Sequence, residues 1–63
     1  MVPSRRIIRI LKDNGWVLLR IDGSHHQFTD PPTGRIVTIL HPKKEISSGL
    51  LKGIEKSTGL KFR

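Results

Sequence analysis

The sequence has no cysteine, so disulfide staples and thiolate metal sites are excluded at the outset. That absence suits a reducing compartment. No apolar run approaches the roughly 20 residues that span a bilayer, and no signal-peptide core is present. The longest apolar stretches, WVLL and IVTIL, are strand-sized. These absences lead to the expectation of a soluble, cytoplasmic protein with no membrane partner. Acidic residues are scarce as well. Five Asp and Glu stand against twelve Lys and Arg, a formal charge of +7 on 63 residues. Such an excess on a small body favours a polyanionic partner, nucleic acid above all, although charge alone names neither a sequence nor a reaction.

Residues 1–63 are expected to form one small domain with a thin core, burying only about 60% of the unfolded surface. Pro3 and Ser4 form a helix start signal, and Asn14-Gly15 a stop signal. Between them Ile7, Ile8, Ile10 and Leu11 share one helical face, while Arg5, Arg6, Arg9, Lys12 and Asp13 share the other. WVLLRID reads as a strand ended by the turn pair Asp22-Gly23, and HHQFT as a second strand. Asp30-Pro31-Pro32-Thr33-Gly34 is a hairpin loop, because its prolines supply no ladder donors. RIVTIL is the third strand, rich in β-branched residues.

The polar connection HPKKEISS leads to a helix expected from about Ser48 to Thr58, with Leu50, Leu51 and Ile54 on its inner side and Gly59 as its terminating glycine. The order α-β-β-β-α predicts an α+β fold: a two-layer sandwich of a three-stranded antiparallel sheet with both helices on one face. The other sheet face stays open to solvent, and function is expected there. Trp16 and Phe28 are assigned to the core, which in so short a chain needs its large residues.

GSHHQF, Gly23 to Phe28, holds two of the three histidines. If Phe28 points inward, strand alternation puts His26 on the same side and His25 on the open face. Neighbours in a strand diverge, so they do not converge on one metal ion, and no helical His-x-x-x-His pair is present. A metal site would need His41 and a carboxylate such as Asp22 to meet through the fold, so no metal and no cofactor is expected. Imidazole suits acid–base chemistry better, since its unperturbed pKa near 6.5 populates both protonation states at neutral pH. RNA brings its own nucleophile, the 2′-hydroxyl. A histidine among lysines and arginines supplies the proton transfers and the cationic stabilisation that its cleavage needs.

Taken together, DNGW, GSHHQF, the Pro/Gly hairpin and HPKKEISSGLLKGIEKSTGL resemble the HicA family, small bacterial toxins of type II toxin–antitoxin pairs. The similarity runs from about Arg5 to Leu60. The resemblance implies a fold like that of double-stranded-RNA-binding domains, and an mRNA interferase activity whose catalytic residue is a histidine of the G-S-H motif. It also implies inhibition by a HicB-like antitoxin that masks the site. Carried over, the motif falls on Gly23, Ser24 and His25, with His26 as the competing candidate. The family's H-P-x-x-E-[IL] segment matches His41, Pro42, Glu45 and Ile46.

The expectation is therefore a metal-independent endoribonuclease acting on mRNA, with His25 as its acid–base residue. Lys43, Lys44, Arg20 and His41 are expected as RNA contacts. A non-catalytic RNA-binding module of the same fold is the alternative. Such a module reads A-form shape through basic loops and needs no histidine on the sheet.

Overall fold

The computed structural model describes residues 2–63. Helix α1 spans Ser4–Asp13, strands β1, β2 and β3 span Val17–Asp22, His25–Asp30 and Arg35–Leu40, and helix α2 spans Ser48–Thr58. The sheet is antiparallel in the order β1-β2-β3. This is the expected α+β arrangement.

Helix α1 follows Pro3, whose fixed φ suits a helix entrance, and buries Ser4, Ile7 and Leu11 along one stripe. Ile8 and Ile10 flank that stripe and pack on the core only in part. Helix α2 is capped by Ser47, whose hydroxyl accepts from the Leu50 N–H. It ends at Gly59, where φ is +75° and the N–H returns to the Glu55 carbonyl. The buried stripe of α2 is Leu51, Ile54 and Thr58. Leu50, expected inside, is half exposed, because the 3.6-residue turn rotates it off the line joining those three.

One cluster unites Ile7 and Leu11 of α1, Phe28, Val37 and Ile39 of the sheet, and Leu51 and Ile54 of α2. Trp16 joins it, as does Phe62, beyond the end of α2, where the backbone turns back to Glu55. The two helices pack chiefly on β3, and every residue of β1 stays exposed. Leu18 and Ile21 pair with Phe28 and His26 and so share their face, yet they remain 43% and 55% exposed. Val17 and Leu19 are exposed too. The expected two-layer sandwich is thus covered over β2 and β3 only.

Register decides which side chain faces where. The β1–β2 hairpin closes on Asp22 and His25 with two residues between, the first being Gly23 at φ +62°, the glycine position of such turns. A bulge at Leu19 offsets β1, whereas β2 pairs with β3 without interruption from His25 to Asp30. Alternation along β2 is therefore intact.

Candidate functional site

The two adjacent histidines face opposite sides of the sheet. His25 is exposed on the open face, between Asp22 of β1 and Leu40 of β3. Arg20, opposite Gln27, is its diagonal neighbour on that face. His26 is half-buried on the helix side, between Ile21 and Ile39 and two residues from buried Phe28.

His41 continues the pattern beyond β3. Its backbone N–H donates to the Ser24 carbonyl at 2.8 Å, which extends the β2–β3 ladder by one rung. Counting from Ile39 then puts the His41 ring on the helix side, beside His26. The two rings meet edge to face, with centroids 5.0 Å apart and planes at 87°. The Ser24 carbonyl also faces Nδ1 of His26 at 3.4 Å. One backbone oxygen thus lies against both histidine residues.

Ser4, at the start of α1, fixes the other side of His41. Its Oγ lies 2.8 Å from His41 Nδ1. The same oxygen accepts from the Lys43 N–H at 2.9 Å and stands 3.1 Å from the Lys43 carbonyl. That carbonyl also takes the Ser4 N–H, a helix-terminal donor that has no partner within α1. Ser4 is a polar residue only 1% exposed, and it is fully partnered.

A cleft of about 600 Å³ opens at this junction, lined by Ser4, Arg5, His41, Lys43 and Lys44 among others. A second groove of about 560 Å³ lies along Arg5, Arg6 and Arg9. No carboxylate lines either one. Positive charge that borders a concave surface without opposing acids focuses potential on an anionic ligand. Among the described residues, no three His, Cys, Asp or Glu side chains gather as metal ligands.

Of the residues singled out in the sequence, His41, Lys43 and Lys44 therefore meet at one cleft with His26 beside them. His25 and Arg20 stand together on the opposite face. The sequence profile of a family described as the HicA toxin of bacterial toxin–antitoxin matches residues 4–60. The chain belongs to the HicA toxin family. Comparison with curated proteins returned no match. Membership makes the chain a toxin of a toxin–antitoxin system, with a cognate antitoxin as partner. Among the described residues no helix is long and apolar enough to cross a membrane.

Sequence reasoning missed Ser4 as part of this site, because a serine after proline at a helix start reads as a start signal alone. It also left His26 and His41 apart. The parity that brings them together was available in β3, where Ile39 and His41 are two residues apart.

Proposed function

We propose that this HicA-family toxin is an endoribonuclease that cuts mRNA without a metal ion. The observation that carries the reading is the meeting of imidazoles with an acid-free basic cleft. RNA cleavage by its own 2′-hydroxyl asks for a proton acceptor, a proton donor and positive charge near the phosphorus, and the chain offers all three side by side. Lys43, Lys44 and His41 hold the strand from the cleft, and in the form of the reading that rests on His25, Arg20 holds it on the open face. No cofactor takes part. The substrate places the activity in the cytoplasm.

In the first form of the reading, His25 of the G-S-H motif is the acid–base residue. Its exposure and its Arg20 neighbour support this. A specific observation favours a second form, with His26 in that role: His26, not His25, packs against another imidazole. A HicB-like antitoxin masks the site in either form, and the bare aliphatic side chains of β1 give such a partner apolar surface to cover.

The test is incubation of the purified chain with single-stranded RNA in EDTA. Cleavage is expected, and intact RNA returns the chain to the class of non-catalytic RNA-binding modules. His25→Ala that folds and binds RNA but does not cut supports the first form. A folded, inactive His26→Ala beside an active His25→Ala supports the second.

A further inference from the structure

The geometry points to His41 as the second proton-transfer residue of RNA cleavage, paired with His26, and to Ser4 as the positioning residue that holds its ring. This inference rests on the endoribonuclease reading in its second form.

The starting point is a count of protons around one oxygen. A serine hydroxyl has one proton to give and two lone pairs to receive. Ser4 Oγ has three close neighbours: the Lys43 N–H at 2.9 Å, the Lys43 carbonyl at 3.1 Å and His41 Nδ1 at 2.8 Å. The first is a donor and the second an acceptor, so their roles are fixed. If the hydroxyl proton goes to the carbonyl, one lone pair takes the Lys43 N–H and the other faces Nδ1. His41 must then carry its proton on Nδ1, and all three contacts are hydrogen bonds. If the proton goes to Nδ1 instead, two acceptor oxygens stand 3.1 Å apart with no proton between them, at a serine only 1% exposed. The first arrangement wins.

A neutral His41 with its proton on Nδ1 has its lone pair on Nε2. Among the described residues, no group bonds that nitrogen. The Ser4 bond also survives protonation of the ring, because imidazolium donates from both nitrogens. Ser4 therefore holds His41 in one orientation whether the ring is to accept a proton or to give one. His26 repeats the arrangement more weakly. Its Nδ1 faces the Ser24 carbonyl, which can only accept, so the ring's proton belongs on Nδ1 and its Nε2 is left for substrate.

His41 lines the cleft with Arg5, Lys43 and Lys44, and His26 touches its ring, so the two imidazoles form an acid–base pair at the edge of a seat for phosphate. One ring enters neutral and the other protonated. The neutral Nε2 takes the proton of an RNA 2′-hydroxyl as that oxygen bonds to the adjacent phosphorus. The bond from phosphorus to the 5′-oxygen breaks, and the protonated Nε2 gives its proton to the departing oxygen. The products are a 2′,3′-cyclic phosphate end and a 5′-hydroxyl end. The rings have exchanged protonation states, and no water, metal or other reactant is consumed. The cleft's cations face the negative charge that builds on the phosphoryl oxygens.

Two measurements test this. Nitrogen-15 NMR of the unmodified protein, above the titration of its histidines, reads the tautomer directly. His41 is expected to show a protonated Nδ1 and a bare Nε2. The reverse tautomer overturns the role given to Ser4.

The second measurement is single-turnover cleavage of an RNA oligonucleotide in EDTA, with folding checked by circular dichroism. His41→Ala is expected to lose about 10²–10⁴-fold in kcat, the usual worth of general acid–base catalysis. Ser4→Ala is expected to lose about 10²-fold in kcat with KM little changed, as a displaced catalytic group does, and its His41 should show a mixture of tautomers. Ser4→Ala also leaves the Lys43 N–H without its partner and so tests folding as well, but the tautomer of the unmodified protein does not depend on that variant. A folded His41→Ala that cuts at near wild-type rate, with the loss confined to His25→Ala, overturns the His26–His41 pair and leaves the ribonuclease reading standing. Unmodified protein that never cuts RNA overturns both.

Discussion

If phosphate contacts hold RNA to this chain, the salt dependence of binding can be worked out in advance. The cleft and the adjoining groove present five cations: Arg5, Arg6, Arg9, Lys43 and Lys44. Each cation that neutralises one phosphate of a single strand adds about 0.7 to the slope of log affinity against log salt. Five contacts give a slope of about −3.5, which amounts to roughly a hundredfold loss of affinity between about 50 and 200 mM salt. Lys43→Ala with Lys44→Ala removes two contacts, so the slope should fall to about −2 and the loss over the same range to about twentyfold. Both lysines are exposed and outside the core, so the fold should persist.

The assay is fluorescence anisotropy with a 2′-O-methyl RNA, which lacks the nucleophile and is bound without being cut. A slope near zero for the unmodified protein refutes the electrostatic reasoning. A double variant that binds more weakly at an unchanged slope refutes the placing of those two lysines on phosphates.

Three further outcomes follow from the core, the carboxyl-terminal turn and the partner. Phe28→Ala should cost about 3–5 kcal/mol, about as much as a core of this size supplies in total, and a cooperative urea transition close to wild type would contradict the central place given to Phe28. The Phe62 N–H, with help from the Arg63 guanidinium, holds the Glu55 carboxyl below its ordinary value. A lowered carboxyl stabilises the fold above the unfolded-state value, and that stability disappears as pH falls through the lowered one. Glu55→Gln should therefore melt below wild type at pH 7, with the gap closing under acid conditions, and a gap that is constant or widens on acidification refutes the assignment. Carbethoxylation should modify His25 in the free toxin and spare it in the antitoxin complex, whereas equal reactivity in both rules out direct masking of that face.

Helix and strand periods carry the element order, because Ile7 with Leu11, Phe28, and Val37 with Ile39 recur at spacings that leave only one way to bury them. The division of His25 from His26 follows from the same period of two. It held because the bulge fell at Leu19 in β1 and not at Gly23-Ser24, where one extra residue would have exchanged the faces. Coverage of the sheet was less legible. A hydrophobic stripe tells that a helix packs on something, but not over which strand it comes to rest, so the bare β1 and the half-exposed Leu50 became visible only with the tertiary arrangement.

The site shows the same division between local and long-range information. Lys43 and Lys44 beside His41 are neighbours in the chain, so their convergence on one cleft needed no fold to foresee. Ser4 and His41 are 37 residues apart and meet only because the chain leaving β3 crosses the entrance of α1. That crossing is held by backbone bonds: Ser4 N–H to the Lys43 carbonyl, and Ile46 N–H to the Val2 carbonyl. Such bonds depend on no side-chain type, and no composition or periodicity announces them. The hydroxyl of Ser4 then meets an imidazole because the backbone has already brought it there. A helix start signal and a histidine–proline loop, each unremarkable alone, thereby join into one hydrogen-bonded unit at the mouth of a basic cleft.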